Sequence, residues 1–142
     1  MIDYDEIDDG IKNLLTPMIE SNGVRTLDFY SGEMNNIAEL IECSVIYPAV
    51  LINVRGFTNA IPGTNIERAY NLKIIFSDTH ARGDQKARGG ARTMAKKARE
   101  LLASKCIPGG NAAILLIGEQ EEFYSRLEKL CVWSGTYNIR MR

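Results

Sequence analysis

The chain has 142 residues, 45% of them hydrophobic and 25% charged, with a formal net charge of −1. These proportions exclude wholesale disorder and predict one domain, 1–142, with a core of its own. The near-neutral total hides a sorted distribution: residues 1–45 hold ten Asp/Glu against two Lys/Arg, and residues 46–142 hold eight against fifteen.

Tyr4, Ile7, Ile11, Leu14, Leu15, Met18 and Ile19 recur at three- and four-residue steps and predict an amphipathic first helix. Asp3 and Glu6 have capping-box spacing, and Asp5, Asp8 and Asp9 favour the positive end of the helix dipole. Pro17 predicts a break near Leu15–Thr16, and Asn22-Gly23 a turn. Val24–Tyr30 suits a short strand, and Asn35 or Asn36 a cap for a brief helix carrying Ile37, Leu40 and Ile41. Pro48 then opens an apolar strand, Ala49–Arg55, followed by a loop over Phe57–Asn65. Ile66–Ser77 alternates apolar and mixed residues, as a strand with one face on the core does, and pairs antiparallel with the strand before it.

Ser77–Gly90 is polar and glycine-bearing, which predicts a mobile surface loop. Ala87, Ala91, Met94, Ala95, Ala98, Leu101 and Leu102 form the buried stripe of the next helix, and Arg88, Arg92, Lys96 and Arg99 line its outer side. Like charges at that spacing oppose one another by a few tenths of a kcal/mol per pair, which an anionic partner relieves. Pro108-Gly109-Gly110 stops the helix. Ala112–Ile117 reads as a buried strand, Gly118–Lys129 as a connector, and Cys131–Met141 as a last alternating strand in which Gly135 marks a bulge or a close backbone contact. The order predicts an α+β fold: a mainly antiparallel sheet of four to five strands with helices packed on one face.

Chemistry is sparse. Cys43, Cys106 and Cys131 form no metal-binding spacing and read as reduced thiols of a cytosolic protein. The lone histidine, His80, lies in the predicted loop, so a nucleophile–base site is not expected, nor is a cofactor or metal. The start lacks the basic-then-apolar order of a leader, and the longest apolar run, Ala112–Ile117, is far below the ~18 residues of a membrane span. Eight Lys/Arg between Arg82 and Lys105 could follow phosphates, but after Gln85 the helix offers no aromatic, Asn or Gln to read bases. Nucleic acid is therefore not the expected main ligand.

Charge sorting leaves two readings open. The halves neutralise each other within one subunit or face water. Otherwise they join neighbouring copies head-to-tail, a contact that closes into a ring when the rotation allows. On the second reading the interface candidates are Asp5, Asp8 and Asp9 against Arg82, Lys86, Arg88, Arg92, Lys96 and Arg99.

The linear order resembles a known family. An acidic first helix, Tyr47-Pro48-Ala49-Val50-Leu51-Ile52, a long alternating strand, an Arg/Gly loop, an Ala-rich helix ending Leu101-Leu102, a Gly-Gly turn and a last strand with Trp133 and Tyr137 follow one another. This is similar to the tail-terminator and tail-completion proteins of tailed bacteriophages, Mu-like contractile tails in particular. The resemblance implies a non-enzymatic α+β subunit that forms a homohexameric ring on the tail tube and stops its polymerisation. It implies the tube protein, the sheath and a head-neck connector as partners. It also implies assembly in the host bacterial cytoplasm and a final place in the virion tail. A neck or stopper protein, or a nucleic-acid-associated module using Arg82–Arg99, is the alternative.

Overall fold

The computed structural model describes residues 4–29, 46–59, 62–63, 68–79, 84–103, 112–125 and 129–141, with backbone alone at 84–88, 112 and 141. Helix α1, Tyr4–Leu15, buries Ile7, Gly10, Ile11 and Leu15 on one side. It stops before Pro17, whose missing N–H cannot continue the ladder, and the short helix α2, Met18–Ser21, follows. Strand β1, Thr26–Phe29, then enters the sheet beside β2, Ala49–Asn59. Strand β3, Arg68–Thr79, leads to helix α3, Asp84–Leu102, and the chain ends in the hairpin β4, Ala112–Ser125, and β5, Leu130–Met141.

The five strands lie in the order β1-β2-β3-β5-β4. All neighbours are antiparallel except β1 and β2, which run parallel. β5 thus returns between β3 and β4, splitting the strand–helix–strand unit that α3 completes. The α+β class, the five strands and the mainly antiparallel sheet agree with the sequence.

Alternation fixes the two sheet faces. Val50 and Ile52 of β2, Tyr70, Leu72, Ile74 and Phe76 of β3, Ile114 of β4 and Tyr137 and Ile139 of β5 meet Ile7, Ile11, Leu15, Met94, Ala98 and Leu102 of the helices. Each fully buried Leu or Ile of this layer contributes about 1.5–3 kcal/mol. The opposite face has a smaller apolar cluster of Leu51, Ile75, Leu130 and Val132, with Tyr47 and Phe123 against it. Helix α1 lies over β2 and β1, whereas α3 lies over β3, β5 and β4.

Several expected boundaries are corrected. β2 continues through Phe57 to Asn59 where a loop was predicted, with a bulge between Val54 and Gly56 that lets the strand bend onward. The predicted loop over Ser77–Gly90 is in large part regular: β3 runs to Thr79 and α3 begins at Asp84. Gly89 and Gly90 are helical, and Gly90 lies against the Asp78 carboxylate, which a Cβ there would have to displace. The predicted connector over Gly118–Lys129 is strand to Ser125, bulged at Ile117 and Glu122. Ala112–Ile117 is not buried throughout, since β4 is an edge strand. The predicted helix at Ile37–Ile41, His80 and the Pro108-Gly109-Gly110 stop lie outside the described residues.

Gly135 does not mark a bulge. β5 keeps an unbroken register with β3 through it, and the Tyr137 ring lies over its Cα. A Cβ there would stand 2.9 Å from Tyr137 Cε2 and 3.6 Å from Phe76 Cε2.

Candidate subunit interface

The acidic candidates come from the first turns of α1. Asp5 and Asp9 are exposed and Asp8 is half-buried, because Ile7 and Ile11 fix which side meets the sheet. Burial, then the charges of Asp5 and Asp9, raise the Asp8 carboxyl above its ordinary range. The three therefore repel one another, and among the described residues none is in an ion pair.

The basic candidates are split. Arg92, Lys96 and Arg99 are exposed on the outer side of α3, opposite Ala91, Ala95 and Ala98. The Arg92 guanidinium stacks over the Trp133 ring, 5.1 Å from its centroid, and Arg99 Nε meets Glu119 Oε1 at 3.0 Å. Lys96 has no ion-pair partner among the described residues. Lys86 and Arg88 lie on the first turns of α3, where only the backbone is described, and Arg82 lies outside the described residues. Among the described residues Asp5, Asp8 and Asp9 form no ion pair with Arg92, Lys96 or Arg99 within the subunit.

Sequence reasoning missed two exposed apolar features. One is the edge of β4, where Leu115, Leu116 and Ile117 are 40%, 37% and 55% exposed. The same six-residue apolar run suggested a buried strand, and only strand order reveals it as an edge. The other is an aromatic group at the end of the β2–β3 hairpin. Tyr4 and Phe57 lie beside Tyr70, with ring centroids 5.7 Å from it in both cases, and Arg68 stacks over Phe57 at 4.1 Å.

Polar chemistry inside the fold has structural causes. On the helix-free face, Glu122 Oε1 accepts from Ser134 Oγ at 2.6 Å and from Gln120 Nε2 at 2.9 Å, and meets Lys73 Nζ at 3.0 Å. Burial raises the Glu122 carboxyl, but these three donors outweigh it and hold the group at about 2. Asp78 is pushed up to about 6 by burial beneath Gly90, against the N–H that Thr79 donates to it. Tyr137 is raised by burial and by Glu119 nearby. Among the described residues no group of His, Cys, Asp and Glu could hold a metal ion, and no helix is long and apolar enough to cross a membrane.

No family model matches the chain, and no curated protein matches it in sequence. In three dimensions the fold is similar to a chain of the virion of the native gene transfer agent (GTA) particle. The TM-score is 0.67 over 95% of this chain and 93% of that one, at 9% identity, which is a likeness of the whole fold.

Proposed function

We propose that this chain is a non-enzymatic structural subunit of a phage or phage-like tail. Copies form a six-membered ring that caps the tail tube, ends its polymerisation and joins it to the head-neck complex. The observation that carries the reading is the end-to-end likeness to a chain of a virion particle, which leaves almost no part of either fold unmatched. The charge geometry supports it. Asp5, Asp8 and Asp9 on α1, in no ion pair among the described residues, and exposed cations on α3 suit contacts between copies, where they set orientation and register more than affinity. Tube, sheath and connector proteins are the expected neighbours on the ring's two faces.

The test is electron microscopy of particles assembled without this chain. Overlong tubes lacking heads are expected. Tails of normal length that lose their genome would instead make the chain a neck stopper, and unaltered particles would remove it from the tail.

A further inference from the structure

Helices α1 and α3 cover opposite ends of the sheet on one face, and each end carries a charged stripe beside an exposed apolar patch. On the α1 flank, Lys12 Nζ lies 4.0 Å from Asp28 Oδ1 of β1 and 5.0 Å from the Phe29 ring centroid. Asp5, Asp8 and Asp9 precede Lys12 by seven, four and three residues, so all four share the helix stripe that faces this flank. At the start of the stripe stand the exposed rings of Tyr4 and Phe57, with centroids 6.2 Å apart. On the α3 flank, Arg99 reaches Glu119 of β4. Arg92 and Lys96 precede Arg99 by seven and three residues and share its stripe. Leu116 and Ile117 of β4 are exposed on the same flank.

The strand registers give heights along the sheet, with Ile114 low and Ser125 high on β4. Phe57 is level with Tyr70, Ile139 and Ile114, and so lies two residues below Leu116. Phe29, beside Lys12, is level with Ile52, Ile74, Gly135 and Glu119, beside Arg99. Lys12 and Arg99 therefore share a height. The helices run in opposite directions, since α1 starts low beside Phe57 and α3 follows the high end of β3. The acids thus lie about one to two turns below the shared height, and the cations run from it to about two turns above. Raising one copy's α1 flank by about two strand residues, roughly 7 Å, against the next copy's α3 flank corrects both offsets together. Phe57 then meets Leu116, and Asp8 and Asp9 fall between Arg99 and Lys96.

We infer that the α1 flank of one copy docks on the α3 flank of the next. Tyr4 and Phe57 pack on Leu116 and Ile117, and Asp5, Asp8 and Asp9 lie beside Lys96 and Arg99. This rests on the ring reading above and supplies its contact. The occupant is a second copy because the two flanks match in charge and in the order of their features. Such a contact is head-to-tail, so it repeats from copy to copy and closes when the rotation allows. Pairing two α3 flanks would instead set cations against cations. The apolar patches supply affinity, and the charges select direction.

Two measurements test the contact. In the first, Ile117→Glu is compared with the unmodified chain by analytical ultracentrifugation, with thermal melts as a check on folding. A rise of roughly tenfold or more in the dissociation constant is expected at an unchanged melting temperature, since the new acid faces the acidic flank of the next copy. In the second, Ile117→Cys chains are mixed with Asp5→Cys chains and treated with a short thiol cross-linker. Mixed dimers should form above the background that Cys43, Cys106 and Cys131 give in the unmodified chain. Ile117→Cys chains alone should stay at that background. Rings that tolerate the glutamate, dimers of Ile117→Cys chains alone, or the absence of a mixed cross-link overturn the contact. So does an unmodified chain that stays monomeric at its highest soluble concentration. The tail-cap reading is judged separately. A glutamate variant that still ends tubes at normal length sinks the contact alone, and a contact that forms in a chain whose loss leaves particles unaltered sinks the tail-cap reading alone.

Discussion

At the scale of single residues, Asp78 lies close against Gly90 and Tyr137 close against Gly135. Asp78 has a folded pKa of about 6 against 3.8 for the free side chain. An acid raised in this way binds its proton more tightly when folded, so its contribution is complete below about pH 4 and is lost as pH rises through about 6. Asp78→Asn keeps the size and the acceptor for the Thr79 N–H but carries no charge. It should raise the melting temperature above about pH 6 and flatten the pH dependence between about 4 and 6. The gain is on the order of 1 kcal/mol once partial exposure is discounted. Thermal melts across that range check it, and a variant whose stability still falls over the interval assigns the effect to another group. Gly135→Ala places a methyl against Tyr137 and Phe76 in a packed layer. It should cost about 1–3 kcal/mol in denaturant unfolding, while the same change at the open Gly89 costs nothing comparable.

At the scale of elements, the polar group on the helix-free face ties β3, β4 and β5 together. Lys73, Ser134 and Gln120 reach Glu122 from two other strands and from its own. Glu122→Ala leaves the half-buried Lys73 without its charge partner and should cost about 1–3 kcal/mol. Glu122 is lowered from 4.5 to about 2, so its stabilisation is present above about pH 4.5 and is lost as pH falls towards about 2. Equilibrium unfolding of the single variants and of the double variant with Lys73→Ala measures the coupling. Additive losses would show that the strands are held by other contacts.

The same scale shows what the sequence made legible. Period-3.6 spacing in α1 and α3, period-2 alternation in β3 and β5, and the Pro17 break all act through local geometry, so they were readable. The first half of α3 was not, because residues 84–90 are polar and end in two glycines, a composition that local propensity assigns to a loop. The strand character of Gly118–Ser125 was hidden likewise, since an acidic edge with two bulges breaks alternation. At the site, the sequence singled out the charged residues of α1 and α3. It did not show that Asp5, Asp8 and Asp9 form no ion pair with Arg92, Lys96 or Arg99 within the subunit, nor that Leu115–Ile117 stands at an edge, because both facts depend on tertiary placement.

At the scale of the whole molecule, the separation of charge becomes a prediction about assembly. Arg92→Glu/Lys96→Glu should shift purified rings towards monomer at low salt, weakening association by about tenfold for two exposed pairs. The shift should shrink as salt screens it. Adding Asp5→Lys/Asp9→Lys to the same chain should restore rings. Sedimentation velocity at two ionic strengths decides it, and an oligomer size indifferent to all four changes would detach these residues from the interface.

The unequal lengths of the strands carry one further consequence. β3 is paired with β5 along its full length and with β2 from Arg68 to Ser77, whereas β1 has four residues and one described neighbour. Its amides should therefore trade protons with solvent through small local openings, while those of β3 wait for global unfolding. Deuterium uptake should therefore be fast at Thr26–Phe29 and slow through the middle of β3, and equal protection of the two would show that the sheet opens as one unit.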